Sequence, residues 1–436
     1  MGGGGRGRRG VTGVHPVRLT SDDRAVLDTL SARGEVLIGR AVAWCAVNSG
    51  SRNGAGLETQ RGALAEALGR LPGVVESLAL APSTEVGADG APQLQPHPDA
   101  LRLTVRPQAP TQVVLTGHYD TVYPAESPFR SVRPRADGAL NGPGIADMKG
   151  GISIMLGALE AFEAHPLAAR VGYRVLLSPD EEIGSPASAR LLAEIAAGGH
   201  IGMTYEPSMP DGALAGARKG SGNFHVVVTG RAAHAGRDFA SGRNAVAGAA
   251  ALAATLHALN GRREGVTVNI GRIDGGGPLN VVPAGAVVRF NIRVPDGEAA
   301  AWASDQLAAA MAALSVQDLE TTLHGGFTRP PKPVDEAQQQ LLEAARDVGG
   351  LIGQSIAWRS SGGVCEGNNL YAAGLPNIDT LGVRGGDIHS EDEYAWPESF
   401  AERACLSAAL LMKIASGEVD AAAIRARRVV GAHLHG

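Results

Sequence analysis

Cysteine is scarce: Cys45, Cys365 and Cys405 are the three in 436 residues. They lie far apart with no C-x-x-C spacing, so neither a disulfide framework nor a thiolate zinc site is indicated, and a reducing, cytoplasmic compartment fits. No run approaches the ~20 apolar residues that a membrane span needs. Nor does one sign of charge dominate. A net charge of -5 leaves no basic patch for nucleic acid and is too mild for a disordered, solvating chain. The opening stretch of glycine and arginine lacks the apolar core of a signal peptide, and residues 1–15 are expected to form a disordered lead-in. No internal repeat is visible.

What is present is ordinary globular material in quantity. At 436 residues the chain exceeds what one core usually fills, so two domains are expected. A content of 44% hydrophobic and 19% charged residues suits a soluble fold. Apolar residues at helical spacing predict a helix over 22–47, with Ser21 as N-cap, and another over 57–71. A strand follows at 74–80, then a loop over 81–100 rich in Pro, Gly and charge. Strands at 101–105, 112–116, 173–178 and 200–205 alternate with helices at 152–162 and 185–197. That alternation predicts an α/β fold, a mostly parallel sheet with helices on both faces.

The style changes near residue 220. A half-exposed strand at 224–229, an alanine-rich helix at 243–259, strands at 266–273 and 286–294, a helix at 297–314 and a strand near 317–323 form a compact α+β unit. It reads as an insertion, 220–330, between the two parts of the first domain, 16–219 and 331–436. Arg329-Pro330-Pro331-Lys332-Pro333 is the return linker. Helix and strand alternation resumes over 336–415. Residues 416–436 read as a polar helix or tail, in which His433 and His435 are surface residues.

Val113-Val114-Leu115 is how a buried strand looks in sequence, and it runs into Gly117-His118-Tyr119-Asp120-Thr121. Two apart on an extended segment, His118 and Asp120 point the same way. Asp120 can then accept the second N–H of the imidazole, the arrangement that orients a metal-binding histidine. Taken alone, such a pair is an ordinary surface or core feature. The glycine-rich loop over 140–151 delivers Asp147 just ahead of a helix, where a plain helix cap would look the same. Pro179-Asp180-Glu181-Glu182 sets three carboxylates at a strand end, where a solvated loop or a cation must offset their repulsion. Glu206 ends another strand, and His389 follows the strand-like 378–383. Each of these lies at the carboxyl end of a strand, the edge where open α/β sheets bind ligands. His118, Asp147, Glu181, Glu182, Glu206 and His389 can therefore converge. Two histidines, a bridging-capable aspartate and further carboxylates suit two divalent ions that activate a water. Zinc fits such N/O ligands, with cobalt or manganese able to substitute.

Together, GHYDTVY at 117–123, NGPGIADMKGG at 141–151, SPDEEIGS at 178–185, YEP at 205–207, AAHAG at 232–236 and HSEDEY at 389–394 resemble the M20 family of co-catalytic metallopeptidases and deacylases. The likeness is greatest to its glutamate carboxypeptidase branch and spans about 30–415. It implies a zinc-exopeptidase-like catalytic domain with an inserted lid and dimerisation domain. It also implies that His118 and Glu206 hold one metal and Glu182 and His389 the other, with Asp147 bridging, Asp120 orienting His118 and Glu181 acting as general base. A metal-free carboxylate in that place can take a proton from water and hand it to the leaving amine. His234, by the same resemblance, reaches the site from the partner subunit of a homodimer and steadies the oxyanion. A surface loop histidine is the plainer alternative. His225, inside a strand, reads as packing.

Arg293 and Asn280 match family positions near the substrate. Arg329 and Lys219 match less closely, and Gly362 and Gly363 offer backbone donors to a carboxylate. Either arginine is otherwise a surface charge. Family members often carry an Asp after Gly-Gly in this loop, whereas this chain has Cys365-Glu366. That departure touches the substrate pocket and not the metals, and no base is in evidence to make Cys365 a nucleophile. The resemblance implies a dimeric di-zinc hydrolase of small peptides or N-acyl amino acids, cleaving an amide beside a free carboxylate. Carboxypeptidase action comes first and N-acyl-amino-acid deacylation second. A catalytically silent ligand-binding paralogue is a third reading, against which an intact Glu181 stands. No nucleic-acid or membrane partner is expected.

Overall fold

Val113 and Leu115 point to one face of the strand Thr111–His118 and Val114 to the other, and all three are fully buried, so helices must cover both faces. In the computed structural model, which describes residues 18–428, this strand lies inside a six-stranded sheet. The lead-in expected over 1–15, and His433 and His435, lie outside the described residues. The sheet order is Val74–Leu78, Ala100–Val105, Val171–Ser178, Thr111–His118, Ile201–Thr204, Asn377–Ile378. The last four strands are mutually parallel and the first two pair antiparallel. Val113 and Leu115 join the main core with the helices Lys149–Glu163 and Glu398–Ser416. Val114 joins a smaller one with Ala189–Ala196 and Glu366–Ala372.

Two glycines set how closely the helix Lys149–Glu163 approaches the sheet edge. A Cβ on Gly151 would lie 2.0 Å from the Tyr205 carbonyl oxygen, and one on Gly150 2.2 Å from that of Ile145. Neither has room for a side chain, so the helix starts directly against the strand that leads to Glu206.

A second, wholly antiparallel sheet has the order Thr267–Gly275, Gly285–Val294, Gly220–Thr229, Glu320–Arg329. Alternation along its strands sends Phe224, Val226 and Val228, with Val288, Phe290 and Ile292, onto the helices Ala245–His257 and Gly297–Ser315, a core separate from the first. The chain enters and leaves side by side: Arg218 and Lys332 exchange backbone hydrogen bonds of 2.8 and 3.0 Å.

Several local expectations are corrected. The helix predicted over 22–47 is two, Ser21–Ser31 and Gly34–Cys45, broken where Gly34 follows Ala32-Arg33. Its cap is Thr20 and not Ser21: Thr20 Oγ1 accepts the Asp23 N–H at 3.1 Å and the Asp23 carboxylate accepts the Thr20 N–H at 2.7 Å, a reciprocal capping box. The stretch 81–100 holds a hairpin, Ser83–Val86 with Pro92–Gln95. The strand expected near 317–323 runs Glu320–Arg329. Of 378–383 only Asn377–Ile378 pairs as a strand, because the chain then bends to bridge single residues, Thr380 with Tyr205 and Arg384 with Ser208. Among the described residues no helix is long and apolar enough to cross a membrane.

Candidate metal centre

Parallel strands deliver their last residues to one edge, and at that edge the side chains meet. His118 Nε2 lies 3.2 Å from Asp147 Oδ1 and 3.7 Å from Glu206 Oε1. His389 Nε2 lies 3.3 Å from Asp147 Oδ2 and 3.2 Å from Glu182 Oε2. Asp147 thus turns one oxygen to each histidine. Two overlapping sets, His118 with Glu181 and Glu206, and His118 with Asp147 and Glu182, each present donor atoms within 4.8 Å of one another. His118 is buried, whereas the His389 side chain keeps 53% of its exposure, so the cluster is open to solvent on the His389 side.

The electrostatics are those of crowded anions sharing protons. Burial would lower the His118 imidazole, but the neighbouring carboxylates of Asp120, Asp147 and Glu206 outweigh this and hold it well above its ordinary value. Bonds to Asp147 and then Glu182 push His389 up to about 11. Burial opposes ionisation of Asp147, yet the two histidines hold it below the usual carboxylate range. Burial, then Asp147, push Glu206 up to about 7 and Glu182 well above its ordinary value. Glu206 Oε1 is buried with no hydrogen bond and only His118 Nε2, at 3.7 Å, beside it, an arrangement that is costly unless a cation faces it. These residues fit divalent metal. The donor set is nitrogen and oxygen only, which suits zinc, cobalt or manganese.

The adjacent carboxylates 180–182 have three different partners. Asp180 Oδ2 accepts the N–H groups of Ala187 and Ser188 at 2.8 and 3.1 Å. Glu181 Oε1 sits 2.7 Å from Arg329 Nη2, and Glu182 faces His389. Asp120 ties this turn to His118. Its Oδ1 is 3.3 Å from His118 Nδ1, its two oxygens accept the backbone N–H groups of Glu181 and Glu182, each at 3.1 Å, and Ser51 Oγ donates to it at 2.8 Å.

Sequence reasoning passed over several residues that hold this arrangement. Glu393, buried, accepts the N–H groups of Gly144, Ala146 and Asp147 at 3.1, 2.9 and 3.0 Å and the Tyr123 hydroxyl at 2.6 Å. It therefore fixes the loop that carries Asp147. It sits inside HSEDEY, and its signal was a carboxylate four residues beyond His389. Ser51 gave no signal, and Glu366 stood out only with Cys365 as a departure in the substrate loop. Glu366 is buried against the Ser178 hydroxyl, and burial pushes it up to about 8. Arg218, buried, bonds Asp379 at 2.8 Å and the Gly363 carbonyl at 3.1 Å while lining the cavity. Its neighbour Lys219, singled out from sequence, instead donates to Gly265 O at 2.6 Å.

A cavity of about 650 Å³ opens from the cluster and is walled on its far side by the small sheet. Arg293, Arg329 and Gly363 line it; His234 and Asn280 do not. Both of the latter are exposed, on the paired segments 233–234 and 280–282. Arg329 is committed to Glu181 and to Ser185 Oγ at 3.0 Å. Arg293 donates to the Gly362 carbonyl at 2.6 Å. Cys365 is buried, and burial raises its thiol well above its ordinary value, which leaves it inert.

The fold and the cluster are those of a metal-dependent amide hydrolase. Residues 114–413 match the model of Peptidase family M20/M25/M40, and the chain belongs to that family. Carboxypeptidase G2 of Pseudomonas sp. (strain RS-16) is 29% identical over 320 residues, 70% of this chain and 74% of that protein. A succinyl-diaminopimelate desuccinylase of Methylorubrum extorquens is 30% identical over 312 residues, 64% and 77% of the two chains. The crystal structure of human carnosine dipeptidase 1 superposes over 90% of this chain and 100% of its own, with a TM-score of 0.68 at 18% identity, which shows a shared fold.

Proposed function

We propose that this chain is a two-metal carboxypeptidase that releases a C-terminal amino acid from a small peptide or N-acyl amino acid. The observation that carries the reading is Asp147, whose two oxygens face His118 and His389 at 3.2 and 3.3 Å, beside Glu206 Oε1, which no donor hydrogen-bonds. In this reading His118 and Glu206 would hold one ion, Glu182 and His389 the other, and Asp147 would serve both. Two divalent cations, zinc in the first instance, would polarise the scissile carbonyl and acidify the attacking water. Glu181 takes the proton of that water and gives it to the leaving nitrogen. Arg329 keeps the Glu181 carboxylate aimed by its 2.7 Å contact, and Asp120 keeps His118 in the tautomer that presents Nε2.

Arg293 and the backbone near Gly363, both on the cavity wall, are the groups to receive the carboxylate of the released residue. The unit 220–330 serves as lid and dimerisation surface, through which His234 would be supplied by a second copy of the chain. Three buried free thiols agree with a reducing, cytoplasmic setting. Deacylation of an N-acyl amino acid is the same bond cleavage with a shorter acyl group, and the desuccinylase relatives favour it as second reading. Elemental analysis of metal per chain, with hydrolysis of dipeptides and N-acyl amino acids before and after chelation, tests the reading. About two metals and chelator-sensitive release of one amino acid are expected; a chain without metal would overturn it.

A further inference from the structure

The open face of the small sheet, opposite its helices, carries polar side chains in rows that cross neighbouring strands. Arg329, Ser221 and Arg293 stand opposite one another in the row beside the metal cluster. Two residues along, Asn223, Asn291 and Asn269 form the next. Two further along, His324, His225, Arg289 and Arg272 cross all four strands. At ~3.3 Å per residue, the first and third rows are about 13 Å apart.

That third row lines a second cavity of about 690 Å³. The two cavities share Gly184, Asn223, Asn269, Asn291 and Thr328 as walls, so they are two lobes of one groove. The hairpin that sequence reading had as a loop closes the far lobe: Gly87 O accepts from Arg289 Nη2 at 2.9 Å, and Glu85 pairs with Arg52. Arg52, Arg272 and Arg289 line this lobe against one lining carboxylate, Glu85. Asp274 bonds Arg272 and Arg289 at 2.6 and 2.8 Å. Among the described residues no carboxylate lies within ion-pair distance of His225 or His324. Burial, then Arg289, hold His225 below its ordinary value, with Glu85 opposing and His324 adding to the effect. Three arginines thus face two carboxylates, Glu85 and Asp274, so the lobe keeps a positive excess, and its two histidines add no negative charge.

We propose that the far lobe is a second subsite of the substrate groove, and that it takes a carboxylate at the end of the substrate remote from the released amino acid. This rests on the carboxypeptidase reading for its orientation. The probes are tetra-alanine peptides capped by succinyl or by acetyl, since four extended residues span about 13–14 Å. Calorimetry on the metal-loaded Glu181→Gln protein should show the succinyl peptide binding about tenfold tighter. In an Arg272→Gln/His324→Gln background that margin should largely vanish. Ring-proton NMR signals of His225 and His324 should move with the succinyl and not with the acetyl peptide. Equal affinities, still rings, or inorganic phosphate binding as tightly as the tethered carboxylate would each overturn the proposal. Hydrolysis by the unmutated enzyme reports separately: no cleavage with the margin intact would overturn the carboxypeptidase reading and leave the subsite standing.

Discussion

The carboxyl edge of the large sheet and the open face of the small sheet are both polar, and they are built in opposite ways. At the edge, five separate segments each give one or two side chains, and almost every one is buried and held by several partners. Asp120 alone has four contacts, to His118, Ser51, Glu181 and Glu182. On the face, the polar groups come as repeats of two along continuous strands, and neighbours in the sheet pair with one another, Arg272 and Arg289 on Asp274 and Asn291 on Ser221 and Asn223. Redundant fixing is what chemistry at metal ions needs, because ligands must hold their geometry through turnover. A row whose cations outnumber its carboxylates suits recognition, where a ligand supplies the remaining negative charge.

The contrast breaks first at Glu181. Glu181→Ala should lower kcat by roughly 10²–10⁴-fold while elemental analysis still finds the metal of the parent protein. Retained turnover would end its role as base. Gly151→Ala comes next. Its methyl would meet the Tyr205 carbonyl at 2.0 Å, so helix and strand must part, at a cost of roughly 1–3 kcal/mol in stability. Because Asp147 and Glu206 sit on either side of that contact, metal affinity should fall by about tenfold or more. Competition with a chromogenic chelator would measure it.

Glu366 sharpens the contrast through pH. Its carboxyl is raised from an ordinary 4.5 to about 8 by burial. A raised carboxyl gives stability that is whole below pH 4.5 and is lost as pH climbs to about 8. Glu366→Gln removes that loss, so thermal scans should show the variant gaining on the parent from pH 5 to 8, by on the order of a few kcal/mol, and gaining little more above. A gap that stays constant with pH would contradict a buried, proton-holding Glu366. The smallest effect is expected on the open face. Gly90 has φ of +84°, and a Cβ there would meet Val227 Cγ1 at 2.8 Å. Gly90→Ala should cost about 1 kcal/mol and loosen the hairpin. The succinyl margin should shrink with metal content unaffected.

Much of the edge was legible because its residues sit in dense, local patterns. A strand ending in His-x-Asp, a glycine loop ending in Asp and a strand ending in three carboxylates each announce a position, and parallel topology supplies the convergence. The supports were harder to see. Ser51 and Glu366 reach the site from far along the chain, through contacts that no spacing encodes. The hairpin at 83–95 hid in a stretch whose Pro and Gly content reads as loop. On the small sheet, alternation gave the core face, but His225 looked like packing because only strand register reveals that His324 and Arg289 flank it on the polar side.

Glu393 has a consequence for biosynthesis. The loop that carries Asp147 is pinned by a carboxylate made some 250 residues later, beside His389. A ribosome-bound chain can present His118, Asp147, Glu182 and Glu206 well before that point, yet it lacks both the clamp on Asp147 and the His389 imidazole. Completion of the cluster thus waits until the last part of the chain folds back onto the first.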